Sequence, residues 1–134
     1  MADKKYRLLI IDDEVEVCEI LKTTFQNDGY EVLVAYDGKS GFNQLEQNPP
    51  DCILLDVRMK RGEDGLTFLR RLRSFHHENP DFEAKLRKTP VIVLTGAGEN
   101  MRPLFEIEGI NQYIHKPYDS SQLKESVRSI VVSY

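Results

Sequence analysis

Five short apolar runs, separated by segments of helical spacing, limit what this chain can fold into. They are RLLII from Arg7 to Ile11, EVLVA from Glu31 to Ala35, CILLDV from Cys52 to Val57, PVIVLT from Pro90 to Thr95, and a weaker NQYIH from Asn111 to His115. Each run is strand-length and bounded by turn or charged residues, so each reads as a strand. The first, third and fourth are apolar at nearly every position, as expected of strands buried on both faces.

The intervening segments read as helices. Asp13 with Glu16 suggests a capping box opening the first helix. Val17, Leu21 and Phe25, with Cys18 and Ile20 beside them, repeat at helical spacing, and Gly29 supplies a stop. Asp37-Gly38 reads as a turn, and Phe42 and Leu45 mark a short helix that must end by Asn48-Pro49-Pro50. Leu66 to Phe75 reads as a helix with Leu66, Leu69 and Leu72 inward and Arg70, Arg71 and Arg73 on a wet face. Ser74 to Thr89 is the least patterned stretch, a polar connection or an extra helical turn. A further helix starts near Pro103 and ends at Gly109. Asp119 with Gln122 caps a last helix that buries Leu123, Val127 and Ile130.

Strands alternating with helices five times predict a doubly wound α/β fold: a (βα)5, flavodoxin-like three-layer sandwich around a five-stranded parallel sheet. The length of 134 residues fits one domain spanning 1–134, long enough to bury a core without disulfides. Cys18 and Cys52 lack CxxC spacing and read as buried thiols of a reducing, cytoplasmic compartment. The first apolar run is broken by Asp12-Asp13-Glu14, so it reads as neither a signal peptide nor a membrane span. A net charge of -4 argues against direct nucleic-acid binding.

In such sheets the functional crevice lies beyond the carboxyl ends of the strands. Asp12 and Asp13 follow the first strand, Asp56 sits near the end of the third, Thr95 ends the fourth and Lys116 follows the fifth. Acids brought together there repel and raise one another's pKa unless a cation neutralises them. Mg²⁺ (or Mn²⁺) suits such an oxygen-rich site, and Lys116 adds a fixed ammonium. A carboxylate nucleophile, a metal, an ammonium and a hydroxyl form a kit for phosphoryl transfer to a carboxylate.

IIDDE at Ile10–Glu14, LLDVRM at Leu54–Met59, VLTG at Val93–Gly96 and YIHKP at Tyr113–Pro117 stand in order, each at a strand end. Over essentially its whole length the chain resembles the receiver domain of two-component response regulators, in particular the chemotaxis-regulator type. The resemblance implies a phospho-accepting signalling switch rather than an enzyme. Asp56 would be the acceptor. Asp12, Asp13, Asp56 and the backbone carbonyl of Arg58 would hold Mg²⁺. Thr95 and Lys116 would contact the phosphoryl group, and Thr95 with Tyr113 would form the switch. It also implies a cis bond between Lys116 and Pro117. The phosphoryl donor would be a histidine kinase or phosphotransfer protein. The output would be a downstream protein target, with phosphorylation-dependent dimers among the forms such switches take. No membrane association is implied.

The chain departs from the family pattern in three places. Lys60 follows Met59 where proline is usual, and the stretch 60–64 is one residue longer before Gly65. The connection around His76 to Lys88 is longer than compact members need. Pro103 delays the start of the fourth helix. His76 and His77 read as exposed loop residues, and strand alternation turns His115 away from the crevice. Two rival functions fit less well. An aspartate-nucleophile phosphatase needs an acid two residues after the nucleophile, where Arg58 stands. A flavodoxin-type flavin domain needs a phosphate-cradling loop after the first strand, where three acids stand. A stand-alone regulator and a receiver excised from a larger regulator or hybrid kinase both fit.

Overall fold

Strand propensity and helical periodicity resolve into an alternating β/α order in the computed structural model, which describes residues 5–59, 64–96 and 99–133. The strands are β1 (Arg7–Ile11), β2 (Glu31–Ala35), β3 (Cys52–Asp56), β4 (Val91–Thr95) and β5 (Gln112–His115). The helices are α1 (Val15–Asn27), α2 (Gly38–Gln47), α3 (Gly65–Arg73), α4 (Pro80–Arg87), α5 (Arg102–Glu108) and α6 (Ser120–Ser133), with a 3-10 turn at Glu99–Met101 before α5. All pairings are parallel and the strand order is β2-β1-β3-β4-β5. The doubly wound α/β fold expected from the sequence is therefore the fold observed.

Period-2 alternation along the central strands divides the core in two. Leu9, Ile11, Ile53, Leu55, Val91 and Val93 face a cluster completed by Phe42 and Leu45 of α2, Phe68, Leu69 and Leu72 of α3, Leu86 of α4 and Phe105 of α5. Leu8, Ile10, Cys52, Leu54, Ile92 and Leu94 face the other cluster, completed by Cys18, Leu21 and Phe25 of α1 and by Leu123, Val127, Ile130 and Val131 of α6. Both cysteines are free and buried. Ile20, grouped by spacing with the inward face of α1, lies outward and exposed.

Several local expectations are corrected. The capping box of Asp13 and Glu16 does not form: α1 starts at Val15 after Glu14, with no side-chain cap. Asp12 takes that role in part, because its Oδ1 accepts from the Glu14 N–H at 2.9 Å as the chain turns off β1. Asp37-Gly38 is a helix start rather than a free turn, with the Asp37 carboxylate accepting from the Ser40 N–H at 2.7 Å. Gly29 does end α1, at φ +94°, a conformation that favours glycine.

The largest correction concerns Ser74 to Thr89, which contains a full two-turn helix, α4. Asn79 caps it through Oδ1, which accepts from the N–H groups of Asp81 and Phe82, and Pro80 occupies its first turn. Leu86 pins the helix to the core. His76 and His77 are exposed as expected, with the His77 ring 4.7 Å from Phe82. Arg73 is more than wet-face charge. Its guanidinium donates to the carbonyls of Gly109 (2.7 and 3.1 Å), Arg87 (2.8 Å) and Thr89 (2.8 Å), tying α3 to the ends of α4 and α5. Arg71 lies over the Phe42 ring at 4.4 Å.

Candidate functional site

The carboxyl ends of β1, β3, β4 and β5 converge because the strands are parallel and in register. Leu55 pairs with Ile11 and Val93, Asp56 with Leu94, and Thr95 with His115. The residues just past those pairs meet in one crevice of about 350 Å³, lined by Asp13, Glu14, Asp56, Arg58, Thr95, Gly96 and Lys116. A somewhat larger groove of about 430 Å³ between β5 and α6 holds none of these residues.

Carboxylate oxygens of Asp12, Asp13 and Asp56 lie within 4.8 Å of one another. Asp12 is 3% exposed and Asp56 7%, so the charges sit largely out of water. Lys116 Nζ donates to Asp12 Oδ2 at 3.3 Å and lies 3.6 Å from Asp56 Oδ1. Its own backbone N–H donates to the Thr95 carbonyl at 2.7 Å, which holds the segment after β5 against the end of β4. The Lys116-Pro117 bond is cis, as expected.

The electrostatics follow from burial and crowding. Burial pushes the Asp56 carboxyl up to about 6; the Asp12 charge adds to this and Lys116 opposes it. Burial also raises Asp12, against the Glu14 N–H and Lys116, which favour its charged form. Burial alone would lower Lys116, but the Asp12 and Asp56 carboxylates outweigh it and hold its pKa above the ordinary value. The crevice thus carries more negative charge than one ammonium neutralises.

That excess fits a small hard cation. Oxygens on opposite sides of an octahedral Mg²⁺ lie about 4.2 Å apart, close to the spread of the three carboxylates. The donors are all oxygens, the set Mg²⁺ and Mn²⁺ accept.

Of the residues singled out in the sequence, Asp12, Asp13, Asp56 and Lys116 are brought together, and Thr95 and Arg58 line the same crevice. Thr95 is buried and Arg58 exposed. Tyr113 is not among the crevice residues. It is buried on β5 between Phe105 (6.0 Å) and His115 (5.4 Å), with the Arg102 guanidinium 5.7 Å over its ring. His115 shares the Tyr113 face and is exposed away from the crevice. Part of the longer loop, Lys60 to Glu63, lies outside the described residues.

Sequence reading missed three contributors. Glu14 lines the crevice, a placement its position after the acid pair allowed. The Cys18 thiol donates to the Asp12 carbonyl at 3.3 Å, which no spacing rule signals. Gly65 packs against the Asp56 peptide.

Comparisons with known proteins bear on the family and the fold. The family model described as the response regulator receiver domain matches residues 8–128. The transcriptional regulatory protein CpxR of Escherichia coli is 31% identical over 126 residues, covering 93% of this chain and 49% of CpxR. The Klebsiella pneumoniae CpxR is 32% identical over the same shares. The chain therefore spans about half the length of the curated relatives it matches. Among solved structures, a putative response regulator from Chloroflexus aurantiacus is 30% identical with a TM-score of 0.80, covering 96% of this chain and 99% of that one. The Vibrio cholerae chemotaxis protein CheY4, at 22% identity and a TM-score of 0.82 over 95% of this chain and 99% of that one, shares the fold. The chain belongs to the response regulator receiver domain family of two-component systems.

Proposed function

We propose that this receiver domain, taken as one unit over residues 1–134, is a phosphate-accepting switch whose acceptor is Asp56. The observation that carries the reading is the placement of the Asp56 carboxylate: buried with two other acids within 4.8 Å, and 3.6 Å from the Lys116 ammonium. The donor is a phosphohistidine on a histidine kinase or phosphotransfer protein. An Asp56 oxygen attacks phosphorus, the P–N bond breaks, and the electron pair leaves with the imidazole, which takes up a proton. The product is an acyl phosphate on Asp56.

Each nearby group has a task in that step. Asp12, Asp13, Asp56 and the Arg58 backbone carbonyl would hold the cation, and Mg²⁺ (or Mn²⁺) would supply positive charge to phosphoryl oxygens. Lys116 offers Asp56 an ammonium before transfer and the phosphoryl oxygens an ammonium after it. Thr95 supplies a hydroxyl donor at the end of β4. Movement of Thr95 toward the phosphoryl group is passed to Tyr113 and to the surface of α5, β5 and α6, which presents the altered face to a downstream protein. The chain does this as a signalling module in the cytoplasm, assisting its own phosphorylation and dephosphorylation without acting on a separate substrate.

The test is intact mass after incubation with Mg²⁺ and acetyl phosphate or a phosphoramidate, and with a histidine kinase if these donors fail. The expected result is one added phosphoryl group, labile to base, absent without divalent metal and absent in Asp56→Asn. Full phosphorylation of Asp56→Asn would sink the assignment.

A further inference from the structure

The chain that leaves β3 returns to within one hydrogen bond of its departure point. The Gly65 N–H, at the first residue of α3, donates to the Val57 carbonyl at 2.9 Å. Asp64 Oδ1 caps the same turn, accepting from the Thr67 N–H at 2.8 Å. A Cβ at Gly65 would fall inside van der Waals contact with the Asp56 carbonyl oxygen, 3.1 Å from the Val57 Cα and 3.2 Å from the Asp56 carbonyl carbon. All three atoms are backbone, so no rotamer change relieves the clash. Gly41 makes a useful contrast. A Cβ there would meet Ile11 Cδ1 at 2.8 Å, the movable end of a side chain.

We infer that Gly65 is a positioning residue for the crevice: its missing Cβ lets α3 seat directly on the Asp56–Val57 peptide and so sets where the Asp56 carboxylate stands relative to Asp12 and Asp13. The inference rests on the reading of the crevice as a cation-dependent acceptor site. Asp12 and Asp13 hang from β1 and Lys116 from the segment after β5, so a displaced Asp56 peptide moves one oxygen against fixed partners. Mg²⁺ tolerates little error in ligand distance. Clearing the Asp56 carbonyl oxygen demands a backbone shift on the order of 1 Å, which strains the seat of α3 and carries an Asp56 oxygen off its place, so cation affinity falls along with stability.

Calorimetric titration of the full chain with Mg²⁺ alone, paired with urea unfolding in a chelator, separates the two effects. In folded Gly65→Ala the Mg²⁺ affinity is expected to fall about tenfold, the scale of a disturbed supporting shell. Gly41→Ala loses stability but keeps Mg²⁺ affinity within about twofold, since its clash lies with the movable end of the Ile11 side chain, which faces the α2 and α3 core rather than the crevice. Asp64→Ala, which loosens the start of α3 without any clash, weakens Mg²⁺ about two- to threefold, while Asp64→Asn, which keeps the cap, restores it. Wild-type affinity in folded Gly65→Ala overturns the inference. If that variant does not fold, wild-type affinity in Asp64→Ala overturns it. A wild-type chain that binds no Mg²⁺ overturns the reading of the crevice, and this inference with it.

Discussion

Asp56 is costly to ionise where it stands, and that has a measurable consequence. Its folded pKa of about 6 lies above the unfolded value of 3.8. Between those values the folded state binds more protons than the unfolded state, so stability falls as pH rises from about 4 to about 6 and stays lowered above that. Asp56→Asn removes the ionisable group. In chelator at pH 7 it is expected to be more stable than wild type by about 1 to 2 kcal/mol after solvent screening at the crevice mouth, with little difference at pH 3.5. Urea unfolding at the two pH values checks both sign and window. Lys116→Ala should act oppositely. It strands the Asp12 and Asp56 charges and lowers metal-free stability by about 1 to 2 kcal/mol, while Mg²⁺ still binds in calorimetry. The acids, the threonine and the lysine were legible in the sequence because each directly ends or follows an apolar run, and parallel strands bring such ends together. The local partners of Asp12 were not. Which of two adjacent acids takes the Glu14 N–H depends on how the chain turns off β1, and the Cys18 thiol acts through a backbone carbonyl that carries no residue-specific signal.

At the scale of elements, strands and long helices were readable, since uninterrupted apolar runs and 3.6-residue repeats survive any detail of packing. The element misjudged was α4. It commits only Leu86 fully to the core, so it has almost no hydrophobic period to detect. Its other signals were present: Asn79-Pro80 at the start, Asp81 and Glu83 in the first turn, Lys85 and Arg87 in the last. The helix is held by one fully buried side chain, by the half-buried Phe82 ring against Phe75, and by hydrogen bonds from arginines. Leu86→Ala is therefore expected to cost about 2 to 4 kcal/mol of global stability in urea unfolding. Arg73→Ala leaves the Gly109, Arg87 and Thr89 carbonyls without their guanidinium donors and should cost about 1 to 2 kcal/mol. Amide exchange should rise at the ends of α4 and α5 in that variant, with the β1 and β3 amides unchanged relative to the global opening.

For the whole molecule, the sheet order brings residues that are distant in sequence into one charge balance. Saturating Mg²⁺ stabilises any state that binds it, so a hundredfold excess over Kd should raise folding stability by about 2.7 kcal/mol. Differential scanning calorimetry with and without chelator reads this as an upward shift of Tm that Asp13→Asn reduces. Doubly wound topology was legible because right-handed crossovers leave alternating buried strands and amphipathic helices only a handful of arrangements, and five strands are too few for the closed eight-stranded barrel. The division of helices between faces was less so: α2, α3, α4 and α5 share one face and α1 with α6 the other, which depends on where the strand order reverses at β1. The ion pair between Lys116 and Asp12 joins residues 104 positions apart, across the two strands that separate β5 from β1. During synthesis from the amino terminus, all three acids emerge long before their cationic partner. A partly made chain is then a set of acids without the ammonium that pairs with them, and the charge balance of the crevice closes only once β5 and Lys116 are in place.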